Sequence, residues 1–291
     1  MLYRHLKRSK GDVDHAFDSL KATAKFIHED HFDLLTEHEP GYEPEKVRIV
    51  KKCVPAEWTG HDKHGRPVQF QRFGAANHDK YIELFTEQEC LFNCKYLLAD
   101  MLKRLRVLNQ NPPPGADANI HQVVFINDMN HFGLSISTVL NNKGTAIFQK
   151  HSAMERQYFP GQIKNIYVIN CSWYITMAWH AVKFIFAEET AAKFVFLGTD
   201  YLPELLKVMP ASSIPVEYGG TGTIAVPPAL TAAELSKLTY SRTGRRLSVE
   251  LTSDIHKYRV EHENYNHRFD KDRLPVMHEG DEFHDAEEDH S

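Results

Sequence analysis

The chain has 291 residues, a net charge of −5, 42% hydrophobic residues and 25% charged ones. These are globular proportions, enough for one large domain or two small ones with a sizeable core. The acidic balance argues against a general nucleic-acid binder. The sequence shows no signal peptide, membrane-spanning run or lipidation motif, which indicates a soluble cytoplasmic protein with peripheral membrane contact at most.

Taken in order, Asp12 reads as the N-cap of a helix over Val13–Asp30. There Val13, Ala16, Phe17, Leu20, Ala24 and Ile27 recur at helical spacing. His38–Pro44 is a loop, punctuated by Pro and Gly. Val68–Phe73 is the first strand. Glu87–Leu108 is the clearest amphipathic helix, with Leu91, Cys94, Leu98, Met101, Leu105 and Leu108 on one stripe that reads as core. Three prolines make Asn109–Asn119 an exposed loop. Val123–Asn127 is the second strand, followed by helices around Ser137–Leu140 and Thr145–Tyr158. The four cysteines form no CxxC, and Cys90 and Cys94 sit one turn apart on the apolar face, as buried reduced thiols would.

The chain is organised around Tyr158–Gly198. Ile166–Asn170 and Phe194–Leu197 are short runs of strand type. Between them, Trp173–Phe186 is long enough for a helix, with Ile175, Trp179, Val182 and Phe186 on one face. Tyr174, Met177, Ala178, Ala181 and Ile185 leave only a narrow polar edge around His180 and Lys183. A helix this apolar all round is buried or covers something apolar. A strand–helix–strand of this length implies a right-handed crossover in a parallel sheet.

Beyond Gly220 the pattern fades. Thr231–Leu238 reads as a short helix capped by Thr231, Arg242–Arg246 is a small basic cluster, and Leu247–Thr252 has strand character. From Glu261 the chain is polar, acidic and His-rich, of disordered composition. Enzyme signatures are missing, among them the GxSxG elbow. Gly219–Thr223, GGTGT, lacks the Lys-Ser/Thr of a phosphate loop and reads as a domain close. His61 with His64, or His28 with His31, has metal-compatible spacing, but no cysteine or carboxylate pattern completes a site. The tail residues His278, His284 and His290 read as solvated.

Several motifs in order resemble one family. They are LKRSKGDVDHAFDSL (Leu6–Leu20), DKHGRPVQF (Asp62–Phe70), FINDMNHFGLSIS (Phe125–Ser137), the Tyr158–Gly198 stretch, and DYLPELLKVMPASSIPVEYGG (Asp200–Gly220). Together, over roughly residues 1–228, they resemble the CRAL-TRIO lipid-binding domains, of which cellular retinaldehyde-binding and α-tocopherol transfer proteins are members. The resemblance implies an α/β fold: a mostly parallel β-sheet floor with helices and a mobile gate helix enclosing a hydrophobic pocket, plus a small N-terminal helical lobe. It implies an N-terminal lobe at residues 1–45, incomplete because the family carries helices ahead of this point, a lipid-binding domain at 46–228, and a polar tail at 229–291.

The expected function is non-enzymatic binding and transfer, or presentation, of one hydrophobic ligand by a monomer that visits membrane surfaces. No cofactor or metal is expected, only a bound lipid or other lipophile. Enclosing a lipid tail is worth roughly 0.8 kcal/mol per methylene, so the pocket needs little more than a dry slot. Trp173–Phe186 is the gate. Ile175, Trp179 and Val182 form its inner face, with Phe125, Asn127, Ile166 and Val168 on the strands and Lys193 at a polar end. From the residues alone, packing of a solid core is the favoured reading of these same side chains; the resemblance reverses that. Of the family's phosphoinositide set only Lys193 is kept; Ser9, Gly161, Val123 and Phe125 stand at the other positions, which argues against phosphatidylinositol as cargo. Gln69 replaces the tyrosine that some phospholipid-transferring members carry. KFIFAE (Lys183–Glu188) lacks the family's prolines, so the gate is expected to run on unbroken. The rival readings are an interaction module with a vestigial pocket and, last, a lipid-modifying enzyme.

Overall fold

The computed structural model describes residues 1–30, 32, 35, 45–132, 142–183 and 188–238. Five strands, β1 (Ala56–His61), β2 (Pro67–Gln71), β3 (Val123–Asp128), β4 (Ile163–Ile169) and β5 (Phe194–Phe196), lie in sequential order in one sheet. β1 and β2 pair antiparallel, and the remaining neighbours pair parallel. The helices are α1 (Leu2–Arg8), α2 (Val13–Glu29), α3 (Glu45–Cys53), α4 (His78–Leu84), α5 (Glu87–Gln110), α6 (Asn142–Tyr158), α7 (Trp173–Val182), α8 (Glu188–Ala191), α9 (Leu202–Val208) and α10 (Ala232–Lys237). The α/β fold with a mostly parallel sheet is therefore as the motifs implied.

The first strand was not legible. AEWTGH is polar at alternate positions and carries a bulge between Trp58 and Gly60, so it lacks an apolar signal. Its hairpin to β2 is built by Asp62, whose Oδ1 accepts from the backbone N–H groups of His64 and Arg66 at 2.9 Å each. Arg66 Nη1 donates to Asp62 Oδ2 at 2.9 Å. The Asp-Lys-x-Gly-Arg motif is thus a turn that starts the sheet.

The long helix α5 begins at a capping box, Thr86 with Glu89, and stops where Asn111 meets three prolines. Leu98, Met101 and Leu105 of its apolar stripe are buried as expected. Thr231 and Glu234 form the same box at the start of α10. At the N-terminus, the His5 ring hydrogen-bonds Ser19 Oγ at 2.8 Å, and Thr23 Oγ1 donates to the Tyr158 carbonyl at 2.8 Å. These bonds tie α1 to α2 and α2 to the end of α6. Burial, then Arg4, push the His5 pKa down to about 4, so the ring is neutral at pH 7.

Alternation splits the sheet into two faces. Val68, Phe70, Val124, Ile126 and Ile169 pack against Leu205, Met209, Ile214 and Tyr218, and none of these is more than 4% exposed. Gly220 belongs to this closed layer, where a Cβ would lie 2.1 Å from the Ile214 carbonyl oxygen. Beside it Gly219 has a left-handed backbone, φ 88°, so the double glycine is a turn and a close-approach device. The opposite face carries Phe125, Ile166 and Val168, beneath α5 and Ile175 of α7.

The expected loop at 38–44, the helix at 137–140, the basic cluster at 242–246, the strand at 247–252 and the tail lie outside the described residues. So does the continuation of the gate through 184–187.

Candidate functional site

The strand register lays two cross-strand rows on the helix-covered face. Gln69, Phe125, Ile166 and Phe194 form one, and Gln71, Asn127, Val168 and Phe196 the other. Each row is polar at the β2 end and aromatic at the β5 end. Gln71 Nε2 donates to Gln69 Oε1 at 2.7 Å across the polar end. Beside them the Asn127 side-chain oxygen is buried without a hydrogen-bond partner. A buried amide oxygen without a partner costs about 1–3 kcal/mol, and with Gln69 and Gln71 it makes this end of the face polar.

Over the aromatic end lies α7. Trp179 packs on Phe194, with centroids 4.3 Å apart, and on Phe196 at 5.4 Å. Ile175, one turn earlier, is 5% exposed. The opposite side of the helix faces outward: Trp173 is 74% exposed, Met177 61%, and His180 is exposed too. Two large apolar side chains one turn apart on a surface are unusual unless something covers them.

The base of α7 is fixed by a polar cluster. Asn170 has a left-handed backbone, φ 54°, which turns the chain out of β4. Its Nδ2 donates to Asp128 Oδ1 at 2.7 Å, and Tyr218 O–H donates to Asp128 Oδ2 at 3.1 Å. The Asn130 N–H also donates to Asp128 Oδ1, at 2.9 Å. Burial and then the Asp128 charge push the Tyr218 pKa up, so the phenol stays a donor. Ser172, the N-cap residue, makes no side-chain cap bond, and its Oγ is buried without a partner. α7 thus follows a hydrogen-bonded turn and packs further along through apolar side chains.

Of the residues singled out from the sequence, Phe125, Ile166, Val168 and Ile175 fall into one buried cluster. Asn127 pairs with Val168 in the second row, and Trp179 caps the β5 end. Val182 is the last residue of α7, and its side chain lies outside the described residues. Lys193 stands immediately before β5; its carbonyl accepts from the Ile166 N–H at 2.9 Å and its Nζ lies 3.5 Å from Glu189. Sequence reasoning did not place Gln71, Phe194 and Phe196 on the floor, although the alternation of VQFQ and FVF carried the signal. Two of the histidines weighed for metal are otherwise engaged: His61 Nδ1 lies 2.9 Å from the Asp62 carbonyl and His64 Nδ1 3.0 Å from Asp117. The cysteines are unpaired, Cys53 and Cys90 buried and Cys94 and Cys171 half-buried, and burial raises their thiols, Cys53 to about 11 and Cys94 to about 12.

The family model described as CRAL/TRIO domain matches residues 51–220, a span that contains all five strands, α7 and its anchor. The chain belongs to the CRAL/TRIO domain family. Among curated relatives, the SEC14 cytosolic factor of Eremothecium gossypii is 27% identical over 77% of this chain and 70% of its own length. The phosphatidylinositol/phosphatidylcholine transfer protein SFH7 of Arabidopsis thaliana is 25% identical over 77% of this chain, which spans only 40% of that longer protein. The Sec14 cytosolic factor of Schizosaccharomyces pombe is 26% identical over 75% and 73%. These relatives are of Sec14 type; the likeness to the retinaldehyde-binding type is looser. Among solved structures, the crystal structure of Sfh5 matches with a TM-score of 0.55 at 15% identity, covering 88% of this chain and 80% of that one, which supports the fold alone. Among the described residues no helix is long and apolar enough to cross a membrane.

Proposed function

We propose that the protein binds one lipid between α7 and the sheet floor and transfers or presents it at membranes, without catalysis. The observation that carries this reading is the two-sided character of α7. Trp179 and Ile175 face the floor, while Trp173 and Met177 face outward. Swinging α7 outward uncovers the aromatic ends of both rows and offers the outer pair to a bilayer. Each of those side chains gains about 1.5–3 kcal/mol on full burial, enough to offset part of the cost of parting Trp179 from Phe194. The ligand then lies along Phe125, Asn127, Ile166 and Val168, under Ile175, Trp179 and Val182, with Lys193 near one end. Names of relatives as phosphatidylinositol/phosphatidylcholine transfer proteins support a lipid cargo.

The headgroup preference follows from this chain's own departures. Val123 is fully buried and apolar, Gly161 has no side chain, and Lys193 is close to Glu189. An inositol phosphate would lose charge-assisted bonds worth about 1.5–3 kcal/mol each, so a lipid other than phosphatidylinositol is the preferred cargo. The protein acts as a cytoplasmic monomer with transient membrane contact. A second reading, an interaction module with a vestigial pocket, draws on the same Trp179 packing, since that ring fills the space over Phe194 and Phe196.

Transfer of labelled phosphatidylcholine and phosphatidylinositol between vesicles tests the proposal. Transfer above the spontaneous rate, with phosphatidylinositol the slower, is the expected result. Preference for phosphatidylinositol would overturn the headgroup argument. No loading of any lipid from a cell extract by folded protein would favour the interaction module.

A further inference from the structure

A cavity of about 390 Å³ lies beneath the N-terminal helices, and none of the eight residues proposed for the lipid slot lines it. Ile27, Phe32, Ala99, Leu102, Leu105 and Ile120 supply its apolar wall. Asn109 holds the wall in shape: its Nδ2 donates to the carbonyls of Leu105 and Ile120, and its Oδ1 accepts from the Ile120 N–H. The remaining character is cationic. Arg4, Lys103 and Arg106 line the cavity, and no described carboxylate does.

Arg4 is the unusual member. It is only 5% exposed, and its buried Nε and Nη1 have no hydrogen-bond partner among the described residues. Burial lowers its pKa to about 10, still far above neutrality, so the guanidinium is charged. A buried charge with no counter-charge among the described residues is costly, and an anion at this position would relieve that cost. The volume falls at the small end of the roughly 300–1,000 Å³ of small-molecule sites and suits a single chain better than two.

We propose that this cavity is a second ligand site, taking the acid group of a single-chain anionic amphiphile against Arg4 with its tail along the Leu102–Ile120 wall. Carboxylate and phosphate heads share the required chemistry: both offer paired oxygens to a guanidinium fork. The site stands independently of the α7 slot.

The test is titration of the full chain with ¹³C-carboxyl-labelled laurate, with dodecyl phosphate and dodecanol as competitors. Laurate is expected to bind with one carboxyl resonance shifted by the protein, and dodecanol to compete at least about tenfold more weakly, as loss of one charge-assisted bond requires. Arg4→Gln should weaken laurate by about tenfold or more. Ala99→Phe, which fills the cavity and leaves the charge in place, should abolish binding and carries the test should Arg4→Gln fail to fold. Trp179→Asp should leave laurate affinity unchanged. Stronger competition by dodecyl phosphate would assign a phosphate head, and stronger binding of laurate a carboxylate; either supports the site. Equal competition by dodecanol, unchanged affinity in Arg4→Gln, or loss of binding in Trp179→Asp would overturn it.

Discussion

The two faces of the sheet are made by the same strands yet differ in every physical respect. On one, Val68, Phe70, Val124, Ile126 and Ile169 are almost wholly buried, all apolar, and sealed by α9 and the turn that closes at Gly220. On the other, alternate residues of those strands form rows that begin in glutamine and end in half-buried phenylalanine, with an orphaned amide oxygen and a tryptophan laid across the end. The first face is what a strand does when its only task is stability. The second leaves hydrogen bonds unmade and aromatic surface part-covered. That difference, more than the apolar content of either face, is what the proposed binding floor rests on.

The largest expected effect comes from the closed face. Ile126→Ala should cost about 2–5 kcal/mol in chemical denaturation and leave lipid loading per folded molecule unchanged. If it reduces loading as strongly as stability, the two faces are not separable. Trp179→Asp should do the opposite: at least tenfold less lipid retained, because a charge enters an apolar slot, with an unfolding midpoint moved less than that of Ile126→Ala. Normal loading of folded Trp179→Asp would remove α7 from the site.

A smaller effect is expected from the outward side of α7. Trp173→Ala combined with Met177→Ala should weaken vesicle association by about tenfold in a sedimentation assay, without loss of bound lipid in the closed state. Smallest of all, Asn127→Leu removes the orphaned oxygen. It should be neutral or stabilising by up to about 1 kcal/mol while altering which lipid is retained. Marked destabilisation would instead make Asn127 an ordinary part of the core.

Much of this was legible in the sequence because the signals were local. The stripe of α5, the crossover around Trp173, the tight glycines and the Thr231 cap all rest on spacings of a few residues, and the structure places them accordingly. β1 was not legible: the polar residues of AEWTGH and its bulge mask the alternation, and only pairing with β2 makes it a strand. The polar end of the floor was half legible. Asn127 and Val168 could be placed by period two within their own strands, but their alignment in one row with Gln71 and Phe196 is set by register between strands, which no single segment encodes. The Arg4 cavity was hidden for the same reason, since its walls come from α1, α2, α5 and the segment before β3.

The most direct test is lipid mass spectrometry on the purified protein after incubation with a cell lipid extract, run in parallel on Trp179→Asp. A gated lipid slot predicts one lipid per folded wild-type chain, other than phosphatidylinositol, and background lipid on the variant. Background lipid on well-folded wild-type protein, or equal loading of the two, would contradict it.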